Sequence, residues 1–180
     1  MNPVNKLGIG GVYTFEHIRG GEVIDNKVVG GEVIDTWSEK NIVVDEGLAY
    51  ILGVAFDGST AALTSWYVGL FSGNYTPVNT DTAANITANA TEITTAYSEA
   101  TRVAWVEAGV IASLIGNAAS PALFTFTAAT TNVYGAFLAS ASAKGATTGT
   151  LSSAKRFAAL KTMLITDILS VTYEITATST

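Results

Sequence analysis

The feature that most constrains the fold is a long segment without any charged side chain. Residues 108–143 contain no Asp, Glu, Lys or Arg. They do not form a candidate membrane span, because Ser, Thr, Asn, Gly and Pro interrupt them throughout and a spanning helix needs about 18 apolar residues or more. The composition instead predicts strands and turns whose exposed face does not depend on charge for solubility. We expect part of that face to be covered by a partner protein.

The overall composition predicts an ordered, acidic protein. Only 13% of the 180 residues are charged and 48% are hydrophobic, the opposite of the bias that keeps chains disordered. The net charge of −6 argues against nucleic acid and anionic membranes as partners, since both attract basic surfaces. The nearest approach to a basic cluster is Lys155, Arg156 and Lys161. Cysteine is absent, which excludes disulfides and thiolate chemistry, and the first residues lack the pattern of a signal peptide.

A short repeat marks the N-terminal region. Residues 20–25 and 30–35 both read Gly-Gly-Glu-Val-Ile-Asp. The period of ten is even, so both copies would show the same faces if the chain stayed extended. The Gly-Gly pairs indicate turns or bulges.

Aromatic alternation precedes this repeat. Tyr13, Phe15 and His17 alternate with Thr and Glu, which predicts a strand with one aromatic face. We therefore predict that residues 1–40 form an extended N-terminal arm containing hairpin-like pieces.

The rest of the chain, residues 41–180, predicts a mainly β fold, a β-sandwich or jelly roll with one or two short helices. Asp45 is expected to cap a helix over residues 46–56, which Asp57 and Gly58 would end. Short strands separated by turn residues are typical of sandwiches. The predicted strands are residues 66–71, 91–97, 102–106, 110–115, 122–127, 133–139, 151–157 and 168–176. The polar, uncharged positions of the strands within the charge-free segment are the predicted contact face. The loop at 140–149 is predicted to be mobile or to make contacts.

No residue pattern indicates catalysis, a metal site or a cofactor site. His17 is the only histidine, and no Gly-x-Ser-x-Gly nucleophile motif accompanies it, so we interpret it as a surface or packing residue. The carboxylates at Glu22 and Asp25, repeated at Glu32 and Asp35, are three residues apart. Side chains at that spacing point to opposite faces of a strand, so neither pair is arranged for glycoside hydrolysis.

Three tryptophans suggest carbohydrate binding as an alternative function. Trp37, Trp66 and Trp105 could stack against a carbohydrate, although their aliphatic and β-branched neighbours favour core packing. Nothing in their spacing places them on one surface.

Several segments together resemble a family of small virion proteins of tailed bacteriophages, of the capsid cement or head decoration type. These segments are 31–37 (GEVIDTW), 41–48 (NIVVDEGL), 66–71 (WYVGLF), 73–77 (GNYTP), 81–84 (DTAA), 95–97, 99–102, 133–138 and 156–157. The resemblance covers roughly residues 30 to 176. One departure is visible, because the Gly-Gly-Glu-Val-Ile-Asp unit occurs twice here and once in the family pattern.

The resemblance implies a structural role and no enzymatic activity. A protein of this type binds the outer surface of the phage head, across joints between subunits of the major capsid protein, and stabilises the particle. It implies self-association as a homodimer, or alternatively a trimer, with no cofactor, no direct nucleic-acid contact and no membrane contact. The alternative is a tail- or fibre-associated virion protein that binds a host glycan.

Overall fold

The computed structural model describes residues 7–58 and 60–179, and these form a β-sandwich, as predicted. The strands are β1 (Leu7–Ile24), β2 (Lys27–Lys40), β3 (Ile42–Val43), β4 (Trp66–Phe71), β5 (Val103–Trp105), β6 (Leu114–Gly116), β7 (Ala122–Thr125), β8 (Thr130–Ala139), β9 (Leu151–Leu164) and β10 (Ile168–Ser179). The short helices are α1 (Asp45–Leu52) and α2 (Ile86–Asn89).

Two five-stranded antiparallel sheets make up the sandwich. The first has the order β2-β1-β10-β6, and β7 also pairs with β10. The second has the order β3-β9-β8-β4-β5. Alternating side chains from both sheets meet in one apolar core, in which Tyr13, Phe15, Leu70 and Val171 are all fully buried.

Residues 7–18 lie in the sandwich and not in a separate arm, which corrects our division of the chain at residue 40. β1 pairs with β10 over its first twelve residues, from Leu7 opposite Ser179 to Ile18 opposite Ile168. The aromatic face recognised in the sequence explains this placement, because rings of this size gain most from burial inside a core. Residues 1–6 of the predicted arm lie outside the described residues.

The two copies of the repeat pair with each other. β1 and β2 form a hairpin that turns at Asp25 and Asn26, both with positive φ, and Gly21 lies opposite Gly30. The copies therefore run antiparallel, so the predicted hairpin is present and the chain does not stay extended through both copies. Consecutive residues with positive φ match the twist of a hairpin, which explains why the chain reverses here.

Three of the repeat glycines bend the chain, although the register shift between β1 and β2 lies at His17 and Ile18 and not at the Gly-Gly pairs. Gly20, Gly30 and Gly31 have positive φ, and a Cβ on Gly31 would lie 2.9 Å from a methyl group of Ile18. The bend brings the hairpin tip over the outer face of the first sheet, where the Asn26 amide donates to the Ser120 hydroxyl at 3.0 Å.

The predicted helix is present, with a different start. Val44 occupies the N-cap position and Asp45 is the first helical residue, since the Val44 amide is already held by the Ser152 carbonyl at 3.2 Å. The helix continues as a π-helical turn, Gly53–Asp57, and ends at Gly58 in the left-handed conformation, as predicted. Gly47 lets α1 approach β9 closely, because a Cβ there would lie 2.5 Å from the Ser152 carbonyl oxygen.

Two strand predictions are wrong. Residues 91–97 make only isolated bridges, at Glu92 and Tyr97, because Glu92 turns inward to an arginine. Residues 110–115 contain a tight turn, and the strand there starts only at Leu114. The other predicted strands are present, and β9 extends seven residues further, to Leu164.

Candidate assembly surface

An exposed apolar loop opens the charge-free segment. All six residues of 108–113 are exposed, and Val110 and Ile111 expose 70% and 72% of their surface. Backbone hydrogen bonds in both directions between Ile111 and Leu114, at 2.8 and 3.0 Å, close a tight turn that leads into β6. Large β-branched side chains are rarely left this exposed without a partner.

The backbone of this turn is strained. Ala112 and Ser113 lie between Ile111 and Leu114 with φ of 50° and 66°. Residues with a Cβ cost roughly 1 kcal/mol or more each in this conformation, which Gly or Asn would adopt more easily. Retained strain of this kind is a mark of functional surfaces.

An uncharged groove of about 230 Å³ lies beside the loop. It is lined by Ile9, Ile51, Val110, Ser113, Leu114, Ile115, Ile175 and Ala177. A second hollow, also of about 230 Å³, shares Ile51, Ile115 and Ile175 with the groove and reaches inward to Trp66 and Trp105. No charged side chain lines either hollow. Together they form one apolar depression between α1 and the edge of the first sheet.

Exposed apolar residues extend this depression. Leu7 is 63% exposed and shares the face of β1 with Ile9, two residues on. Leu52 and Phe56, one helical turn apart, are also 53% and 80% exposed, but neither lines either hollow.

We call this set of residues the apolar surface: Leu7, Ile9, Ile51, Val110, Ile111, Leu114, Ile115, Ile175 and Ala177. Its exposed side chains present roughly 500 Å² in total, if a fully exposed large side chain presents about 150 to 200 Å². A patch of this size is at the upper end of what monomeric proteins leave uncovered.

The exposed apolar loop is distinct from the polar, uncharged strand face predicted as the contact face, and that contact face stays a prediction. Most of β7 and β8 is buried, and so are two polar residues of the charge-free segment, Thr131 in β8 and Asn117 directly after β6. Asn117 is fully buried, where its amide oxygen accepts from the Tyr173 amide at 2.7 Å. The exposed polar positions Thr130 and Asn132 remain at one end of β8. The notable exposed surface is instead apolar and lies on the loop at 108–113.

His17 is buried in an ion cluster. Its Nε2 lies 2.6 Å from an Asp167 oxygen, and Arg19 donates from Nε and one terminal nitrogen to both oxygens of Asp167, at 2.9 Å each. Burial would raise the pKa of Asp167, but hydrogen bonds from Arg19, the Leu164 amide and His17 outweigh it and lower the pKa to about 2. The cluster ties β1 to the turn before β10.

The tryptophans do not form one platform. Trp66 and Trp105 face each other across β4 and β5, and the Trp105 ring nitrogen donates to the Tyr173 carbonyl at 3.0 Å. Trp37 lies apart, stacked on Phe15 at 5.0 Å.

The repeated carboxylates also remain separate. Glu22, Asp25 and Glu32 are exposed on the hairpin. A hydrogen bond from Lys161 at 2.7 Å lowers the pKa of Asp35. Within residues 7–58 and 60–179, no group of three or more His, Asp or Glu side chains is placed to hold a metal ion.

Neither a family model nor a curated protein matches the chain. No helix in the described part of the chain is long and apolar enough to cross a membrane. The structure is a β-sandwich with a strained, exposed apolar loop.

Proposed function

We propose that the chain is a bacteriophage capsid cement protein. It binds the outer surface of the head across joints between subunits of the major capsid protein and stabilises the particle, as a homodimer or a trimer. The apolar surface carries the proposal, and the resemblance in residues 31–48 and 66–84 supplies the kind of partner.

The energetics of the surface suit this role. At about 25 cal/mol per Å², covering roughly 500 Å² of apolar surface corresponds to on the order of 10 kcal/mol before the cost of association. Both hollows lack charged side chains, so contact there carries no penalty for desolvating an unpaired charge. A modest contact repeated over many copies stabilises a particle under internal pressure.

The test uses phage particles depleted of this protein. Adding back the wild-type protein should raise the temperature at which the particles release DNA. The Ile111→Asp variant should fold normally, because its side chain is 72% exposed, yet should neither bind nor restore the release temperature. Val29→Asp, on the hairpin and 53% exposed, is the matched control and should behave as the wild type.

Two results would count against the proposal. If wild-type protein leaves the release temperature unchanged, stabilisation of the head is not its role. If Ile111→Asp binds and restores as well as Val29→Asp, the apolar surface is not the contact.

Glycan binding by a tail- or fibre-associated protein has less support. Sugar recognition combines stacking with several polar partners. Trp105 is only 6% exposed and its ring nitrogen is already bonded to the backbone. Reproducible binding on a glycan array that is lost in Trp66→Ala, without loss of folding, would favour this reading over the cement role.

A further inference from the structure

The basic cluster seen in the sequence separates into paired and unpaired cations. Lys161 is paired with Asp35 at 2.7 Å, and Lys155 lies 3.5 Å from Glu39. Arg156 instead donates from Nε to the neutral Asn74 side chain, at 2.6 Å. Among the residues that the structure describes, neither Arg156 nor the exposed Lys40 has a carboxylate within 4.0 Å.

These unpaired cations meet in one groove. Lys40, Lys155 and Arg156 line a depression of about 300 Å³. The other lining residues are Asn41, Ile42, Thr76, Pro77, Ala154, Phe157 and Ala158. No acidic side chain lines it, and the nearby Glu39 is held by Lys155 and by the Ala158 amide at 2.6 Å. A protein with a net charge of −6 thus carries one locally positive groove, and it shares no residue with the apolar surface.

The chemistry of the groove fits a carboxylate. Among the described residues, the side chain of Arg156 makes its only hydrogen bond through Nε, so its two terminal nitrogens are available to bind a carboxylate side by side. Lys40 adds a second, flexible positive charge. Three cations in an acidic protein are too few for a nucleic-acid backbone, which needs an extended basic face.

The remaining lining residues favour a peptide over a free anion. Ile42, Pro77 and Phe157 give the groove apolar walls that an amino-acid side chain can contact.

We infer that this groove binds an acidic peptide segment of a partner protein, with a carboxylate held by Arg156 and Lys40. The binding is independent of the cement role proposed above.

The test is a titration of isotope-labelled protein, followed by NMR, with the peptide acetyl-Glu-Leu-Glu-amide. Saturable shifts should occur at the amides of Asn41, Ile42 and Phe157. Arg156→Gln and Lys40→Gln should each weaken binding about fivefold to tenfold, as expected for loss of one half-exposed charge contact. Lys27→Gln, an exposed lysine on the hairpin outside the groove, is the matched control and should bind as the wild type. Raising the salt concentration from about 50 to about 300 mM should weaken binding severalfold.

Three outcomes would overturn the inference. The first is the absence of saturable shifts at the groove. The second is equal binding of the matched peptide with Gln in place of Glu. The third is binding of inorganic phosphate as tight as that of the peptide, with the same losses in Arg156→Gln and Lys40→Gln, which would assign a simple anion site.

Discussion

Replacing Arg102 by Met should strongly destabilise the sandwich, because it leaves Glu92 buried without its counter-charge. Arg102 is 1% exposed, and its Nε and one terminal nitrogen each donate to Glu92 at 2.8 Å. Its terminal nitrogens also donate to the carbonyls of Ala141 and Ala146, at 3.0 and 3.1 Å. The Gly145 amide donates to Glu92 at 2.9 Å. One ion pair thus anchors the loop at 140–149. The sequence analysis predicted that this loop is either mobile or makes contacts.

The expected loss follows from this geometry. Removing one partner of a buried ion pair costs about 3 to 5 kcal/mol. A domain of this size is stabilised by about 5 to 15 kcal/mol in total, so Arg102→Met should remove about a fifth or more of the free energy of unfolding. The double variant, Arg102→Met with Glu92→Met, removes both charges. Only neutral backbone groups of the loop then lack a partner, and each of them costs roughly 1 kcal/mol of stability. The double variant should therefore be more stable than the sum of the two single losses implies.

Urea unfolding followed by tryptophan fluorescence gives the free energy of unfolding of the wild type, Arg102→Met, Glu92→Met and the double variant. Hydrogen exchange should also show faster exchange of the Gly145 amide in Arg102→Met, because its acceptor is no longer held in place. The reasoning is refuted if Arg102→Met costs less than about 1 kcal/mol, or if the double variant loses as much as the two single variants together.

Two further predictions concern the ion cluster and the strained turn. The pKa of Asp167 is about 2 in the folded protein and about 3.9 when unfolded, so its contribution is complete above about pH 4 and is lost as the pH falls towards 2. Asp167→Asn should lower the free energy of unfolding at pH 7 by on the order of 1 to 2 kcal/mol. It should also make the free energy of unfolding fall less steeply between pH 4 and 2, which urea unfolding at each pH measures. If that pH dependence is the same as in the wild type, the prediction is contradicted. The double substitution Ala112→Asn with Ser113→Gly should raise the melting temperature, because both new residues accept positive φ. The expected gain in the free energy of unfolding is about 1 kcal/mol. A lower melting temperature would show that the turn is not strained.

The strands could be predicted where their signals are local. The segment Trp66–Phe71 is aromatic and β-branched, and Ile168–Ser179 alternates apolar and polar residues along most of its length. Both patterns reflect side chains pointing to opposite faces of one strand, which neighbouring residues alone decide. The stop at Gly58 was predictable for the same reason, since a glycine accepts the left-handed conformation that ends the helix.

The partners of each strand could not be predicted in this way. Leu7 to Ile18 was interpreted as part of an arm, yet it pairs with residues about 150 to 170 positions away. The repeat at 20–25 and 30–35 carries no signal that its copies pair with each other. Glu92 lies in a segment that resembles a strand, and only the placement of Arg102 explains why that segment leaves the sheet.

The candidate surface was predicted only in part. The charge-free segment pointed to the region that contains Val110 and Ile111, but most of β7 and β8 is buried, and the exposed polar residues Thr130 and Asn132 lie at one end of β8. Leu52, within the predicted helix, is 53% exposed. Leu7 and Phe56 had no sequence signal, because exposure depends on which residues from distant segments cover a side chain.

By itself, the sequence determined that this protein is mainly β, acidic, and charge-free over residues 108–143, because composition and alternation act residue by residue. It also determined where glycines bend the chain. Only the tertiary structure decided that the first strand enters the core, that Arg156 and Lys40 share a groove, and that Val110 and Ile111 stay exposed while β8 is covered. Those outcomes depend on contacts between segments far apart in the chain, and no local pattern encodes which segments meet.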